Sequence, residues 1–165
     1  MRTYRRTAGG LVWLTCVLLV ACAAKPAKPP KPQPVALTIA VSADVNPDSQ
    51  MRPSPIVVRL YQLKDDAAFK AADFYALYDK DQGTLGAALV SREDFEFVPG
   101  ERHSADMALS TDARFIGVVA AYRDIRNAQW RTLTAAPEKG IVNIVKKNKL
   151  AIAIERARVS FVTPD

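Results

Sequence analysis

Histidine occurs once in these 165 residues, at His103, and cysteine twice, at Cys16 and Cys22. From Val35 onward there is no cysteine, so no disulfide can staple that part of the chain. Zinc sites draw on His and Cys donors, and this composition argues against one. A catalytic histidine needs a nucleophile and an orienting acid, and the sequence offers His103 neither. Just after the Pro99-Gly100 turn, His103 is expected on an exposed strand or loop. The chain has no Gly-x-Ser-x-Gly elbow, no phosphate-binding P-loop and no dinucleotide fingerprint. Asp65-Asp66 and Arg92-Glu93-Asp94 read as solvated caps or loops rather than metal sites. The expected cofactor set is therefore empty, and the function non-enzymatic.

Two further shortages narrow the class. The apolar stretch from Leu11 to Ala21 falls short of the roughly 20 residues that cross a bilayer as a helix. An excess of one charge is also lacking where it would matter. The formal charge is +6, but six of the 23 basic residues precede Val35 and none of the 17 acidic ones does. The domain from 35 onward is neutral, which argues against a nucleic-acid partner.

What the N-terminus does contain is a signal. Arg2, Arg5 and Arg6 form a cationic start, Leu11 to Ala21 an apolar centre, and Leu19-Val20-Ala21-Cys22 a close with a small residue before cysteine. That order resembles the lipobox of a bacterial lipoprotein signal peptide. It predicts removal of residues 1–21 and acylation of Cys22. The competing interpretation is a plain secretory signal with an incidental cysteine. Cys16 fits less well, because the bulky Trp13-Leu14-Thr15 precedes it. Lipoproteins of this class carry several acyl chains, and two or more anchor a protein stably. Ala23, rather than Asp, follows the cysteine and favours the outer membrane over inner-membrane retention.

Residues 22–34 then form a Pro/Lys-rich tether, Lys25-Pro26-Ala27-Lys28-Pro29-Pro30-Lys31-Pro32-Gln33-Pro34 after the first residues. Such a segment extends as polyproline II at about 3.1 Å per residue, a reach of roughly 30 Å from the lipid. Residues 35–165 are one domain by length.

Within that domain Val35, Leu37, Ile39 and Val41 alternate with smaller or polar residues, as a half-buried strand does. A long loop over 44–54 carries Pro47 and Pro53, and a β-branched strand follows over 56–63. Asp65-Asp66 can cap a helix over 67–78. Residues 85–90 read as either helix end or short strand. After that the pattern is β: Phe95 to Val98, Ala105 to Leu109, the apolar run 115–122, and a hairpin of 141–145 and 150–154 around Lys146-Lys147-Asn148-Lys149. An end strand at 160–162 completes seven or eight strands. The expected fold is mainly β, a two-sheet β-sandwich with a short helical insertion after strand two.

The run from Arg52 to Leu63 (Arg-Pro-Ser-Pro-Ile-Val-Val-Arg-Leu-Tyr-Gln-Leu) closely resembles the second strand of the TssJ (VasD, SciN) lipoproteins of type VI secretion systems. The resemblance continues through Phe69 and 73–78, Pro99-Gly100, the stretch 115–124 and Trp130-Arg131. It implies a transthyretin-like sandwich with a helical insertion and a protruding loop between its first two strands. It also implies an outer-membrane anchor that binds the periplasmic C-terminal region of the inner-membrane component TssM, with TssL as a further component of the same complex.

A long loop between paired strands is often functional. Residues Asn46, Pro47, Asp48, Ser49, Gln50, Met51 and Arg52 are therefore the expected partner-binding site, with prolines limiting lost entropy and Met51 as an adaptable apolar contact. Arg52 could equally close a local ion pair. Trp130 is expected as a packed aromatic with a polar edge. Two other functions stay open: a transthyretin-like small-ligand binder or hydrolase, and a pilotin-like escort of an outer-membrane channel.

Overall fold

A computed structural model describes residues 31–137 and 148–164. The signal segment 1–21, Cys22, most of the tether and the 141–145 half of the expected hairpin lie outside the described residues.

The strands among the described residues are β1 (Gln33–Val41), β2 (Ile56–Leu63), β3 (Leu89–Phe97), β4 (Arg102–Leu109), β5 (Phe115–Ala120), β6 (Arg131–Ala135), β7 (Asn148–Ile154) and β8 (Val159–Val162). They form two four-stranded sheets, ordered β4-β1-β7-β8 and β3-β2-β5-β6. Every pairing is antiparallel except β1 with β7, which run side by side from Val35 against Asn148 to Val41 against Ile154. The protein is the expected two-sheet sandwich.

The inner faces make the core. Val35, Leu37, Ile39 and Val41 of β1 meet Ile56, Val58 and Leu60 of β2, and Ile152 and Ile154 of β7 join the same cluster. Strict alternation in β1 follows from its position, with one face in the core and the other left without a helix. β5 is apolar on both faces, and so is β2 apart from Arg59 and Gln62, because a second layer covers them. Helices α1 (Ala67–Ala71), α2 (Phe74–Asp79) and α3 (Asp81–Leu85) lie on the outside of their sheet. There Phe69, Leu77 and Leu85 bury Tyr61, Leu63 and Val119.

The insertion is three short helices, not the single helix over 67–78 that the residue types suggest. Ala72 turns to an extended backbone, and the Asp73 carboxylate accepts a hydrogen bond from the Ala76 N–H at 2.8 Å. Asp is a strong N-cap, so at this position it starts a new helix instead of continuing the old one. The ambiguous stretch 85–90 is both things expected of it: α3 ends at Leu85, a 3-10 turn spans Gly86–Ala88, and β3 begins at Leu89.

Other departures concern edges. β1 begins at Gln33, two residues before the alternation does, and Pro34 sits where only β4 flanks it, a position a strand tolerates. Asn148 and Lys149, expected in a hairpin loop, belong to β7 and pair with Val35 and Ala36. Polar residues are tolerated there because burial in β7 begins only at Leu150. β6 is a strand where the sequence pattern suggests none. Its Thr132 and Thr134 are half-buried, and the ladder to β5 makes it a strand. His103 is half-buried, not exposed: its ring lies 5.5 Å from that of Phe95 and 6.0 Å from that of Phe97. β3 and β4 border different sheets, and this contact covers the imidazole.

Candidate protein-binding interface

Strand direction sorts the connections to two ends. β1 opens at one end of the sandwich, where Gln33 faces Leu109, and closes at the other. The β1–β2, β3–β4, β5–β6 and β7–β8 connections all gather at that second end. Nine residues of β1 separate the two ends, about 26 Å at the usual rise of a strand.

Asn46 organises the second end. It is 4% exposed, with φ of 49°, a left-handed conformation that Asn tolerates better than most residues. Its side-chain N–H donates to the Pro55 carbonyl at 2.7 Å, and its side-chain oxygen accepts from the Arg123 N–H at 2.8 Å. Its own N–H donates to the Arg156 carbonyl at 3.1 Å. One buried amide thus ties three connections together. Tyr122 adds a second tie, its hydroxyl donating to the Glu155 carbonyl at 3.1 Å, and burial pushes its phenol pKa upward. Gln129 and Arg158 form a third, an isolated parallel bridge with Arg158 Nε donating to Gln129 Oε1 at 2.9 Å.

Above this platform the loop tip is built on Asp48. Its Oδ1 accepts from the Gln50 and Arg52 N–H groups at 2.8 and 3.0 Å. Its Oδ2 accepts from Arg52 Nε at 2.8 Å and pairs with Arg52 Nη2 at 2.7 Å. The Arg52 side chain beside it holds the Asp48 carboxyl below the usual carboxylate value. Backbone bonds close the ring, Met51 N–H to the Asp48 carbonyl and Asp48 N–H to the Arg52 carbonyl, both 2.9 Å. The ring forces Met51 to φ of 65° and leaves it 64% exposed.

The expected site residues therefore divide. Asn46 is committed to the fold, and Asp48 and Arg52 hold each other. Ser49, Gln50 and Met51 point outward, with Pro47 half-buried. Beyond the loop is a surface that spacing along the chain did not suggest. An open groove of about 810 Å3 runs from Met51 to Tyr75, floored by the 122–128 stretch and Arg156. Tyr75, at the start of α2, is 63% exposed. Its neighbour Phe74 is packed edge-on against Trp130 at 5.4 Å, and Trp130 itself is half-buried with the Arg131 guanidinium 4.9 Å from its ring. No sequence signal links Tyr75 to residue 51. Only the return of the helical insertion along the sheet brings them to one end.

Among the described residues no group of three or more His, Cys, Asp or Glu side chains is placed to hold a metal ion. No helix among them is long and apolar enough to cross a membrane.

Comparison with known proteins returned consistent relatives. A sequence search of curated proteins found no match. The chain is similar to the crystal structure of the type VI secretion lipoprotein TssJ1 from Pseudomonas aeruginosa, at 33% identity and a TM-score of 0.73. The match covers 81% of this chain and 98% of that one. It is similar to the Serratia marcescens protein Lip, a membrane-bound component of the type VI secretion system, at 26% identity and the same TM-score, over 81% and 99% of the two chains. A chain of a structure described as a type VI membrane complex matches at 26% identity and a TM-score of 0.67, over 81% and 100%. Residues 33–157 match the family described as type VI secretion lipoprotein, VasD, EvfM, TssJ, VC_A0113, and the chain belongs to that family.

Proposed function

We propose that this lipoprotein is cleaved before Cys22, acylated there, and held on the periplasmic face of the outer membrane by a 22–34 tether. We further propose that the far end of its sandwich binds the periplasmic C-terminal region of TssM, which links the outer membrane to the inner-membrane part of the apparatus, TssL included. The observation that carries this is the separation of the two ends. The tether enters β1 at Gln33, and the 46–52 loop stands about 26 Å away at the opposite end. A domain arranged so offers its loops to a partner approaching from the periplasm while the lipid holds its other end. One similar chain comes from a type VI membrane complex, which supports an assembly role.

The role is non-enzymatic. His103, the single histidine, has phenylalanine rings as its ring neighbours, and a hydrolase or small-ligand site would need converging polar groups around it.

The test uses the full chain in cells. Cys22→Ser should move the protein from the membrane to the soluble fraction, and deletion of residues 47–51 should weaken capture of the TssM periplasmic region. Deleting the loop without losing capture would sink the loop assignment. Co-purification of an outer-membrane channel instead of TssM would support the pilotin-like role.

A further inference from the structure

The charges in the end groove are unevenly used. Of its carboxylates, Asp48 is paired within the domain with Arg52 and two backbone N–H groups, and Asp124 accepts from the neutral Asn127 amide at 2.8 Å through one oxygen. Two of its three arginines have no such partner. The guanidinium groups of Arg123 and Arg126 are exposed and have no hydrogen-bond or ion-pair partner among the described residues. Arg156 reaches Asp44 only at 3.8 Å and otherwise lies 3.4 Å from the Met51 sulfur. Three arginines thus stand in the groove against one carboxylate, Asp124, that has no ion-pair partner among the described residues, and the balance of free charge is positive. Apolar groups stand on its two rims, Met51 at 64% and Tyr75 at 63% exposed.

Neither rim residue is exposed by accident of a loose loop. Met51 is held outward at positive φ by the Asp48 ring, and a strained non-glycine residue kept in place by surrounding bonds points to use. Tyr75 is on a helix seated by Phe74 on Trp130. The floor is fixed by Asn46. A surface ordered before binding loses little entropy when it binds. Aromatic, Met and Arg side chains are also the types enriched where proteins meet.

We infer that this groove receives a protein segment with carboxylate side chains flanked by apolar ones, the carboxylates pairing with Arg123 and Arg126 and the apolar residues packing between Met51 and Tyr75. The occupant rests on the proposed partnership with TssM, so the segment belongs to its periplasmic region. The interface thus extends past the 46–52 loop to the β5–β6 connection and the helical insertion.

The test is binding of the full acylated chain, held in nanodiscs, to the purified TssM periplasmic region at low and high salt. The charge-reversed pair Arg123→Glu/Arg126→Glu should weaken binding about tenfold at low salt and flatten the salt dependence, because paired rim charges act through both. Tyr75→Ser should weaken it at every salt concentration. Arg114→Glu, an exposed arginine at the tether end, should change nothing. Thermal melting checks that each variant is folded, and the single Arg126→Glu variant serves if the pair is not. Unchanged affinity in the charge-reversed variants, with the loop deletion still impaired, overturns the inference and leaves the proposed function standing. A native chain that does not bind the TssM region overturns both. Self-association that the reversal abolishes would put a second copy of this chain in the groove, and overturns it too.

Discussion

The Phe69 ring lies so close to the backbone of Gly117 that a Cβ on the glycine would stand 2.8 Å from two ring carbons. Gly117 is in β5, and Phe69 is the one buried residue of α1. This contact is where the helical insertion is seated on the sheet. Tyr61 meets the same ring edge-on at 5.8 Å, and Arg131 donates to the Phe69 and Ala72 carbonyls at 3.0 and 2.7 Å, which closes the end of α1.

Gly117→Ala should therefore destabilise the domain by about 1–3 kcal/mol, the usual effect of forcing extra volume into a packed core. Thermal or urea unfolding measures it. Phe69→Leu in the same chain should recover part of the loss, since the smaller side chain leaves space for the methyl. An alanine variant as stable as the native protein would mean that the ring can move aside.

Asn46→Ala should free the β1–β2 loop. It removes the donor to Pro55 and the acceptor for Arg123, and leaves both part-buried backbone groups short of a partner. Each such loss is worth about 1 kcal/mol or more, and alanine tolerates the left-handed backbone poorly. Faster proteolysis within 44–54, with the sandwich core still intact, is the expected result. Asn46→Asp should loosen the loop as well, because it keeps the acceptor for Arg123 but sets a carboxylate oxygen against the Pro55 carbonyl at a buried position.

Acid should loosen the loop tip before it unfolds the domain. The Asp48 pKa is lower in the folded state than in the unfolded chain, chiefly through the Arg52 side-chain hydrogen bond. The folded tip is thus favoured at any pH above the unfolded value, and the advantage drains away as pH falls through the folded value. Amide exchange of Gln50 and Arg52 should rise relative to the rest of the domain as pH falls below the ordinary carboxylate range and through the lowered folded value. In Asp48→Asn that pH dependence should vanish.

Alkali acts in the opposite sense on Tyr61. Burial raises its pKa to about 12, and its hydroxyl donates to the Leu77 carbonyl at 3.0 Å. The folded state holds this proton more tightly than the unfolded chain. Its contribution is complete below about pH 10 and is lost as pH rises from there to about 12. Tyr61→Phe should lower stability at neutral pH by about 1 kcal/mol and flatten the alkaline decline, as denaturant melts across this range would record.

Some of this was legible in the residues and some was not. The alternation in β1 and the continuous apolar run of β5 each report the faces a strand buries, so both strands could be read directly. β6 could not, because its half-buried threonines owe their conformation to the ladder with Phe115 to Val119. The helix break at Asp73 was readable in principle, since Asp favours caps, but helix formers on either side hid it. The hairpin expected around 146–149 misplaced Asn148 and Lys149 for a similar reason. Polar residues look like loop until a neighbouring strand takes them up.

The site divides the same way. Composition and local pattern alone raised the expectation of a Cys22 signal and a Pro/Lys-rich tether, and they determined the neutral domain and the long loop, because each depends on residues adjacent in the chain. Tertiary structure decided which loop residues face outward. Asn46 turned inward because a buried amide could satisfy Pro55 and Arg123 at once, and Met51 turned outward because the Asp48–Arg52 ring left it nowhere else to go. It also brought Met51, Tyr75, Arg123 and Arg126 to one groove. They are far apart in sequence, and only the direction of the strands and the return of the helices along the sheet set them side by side.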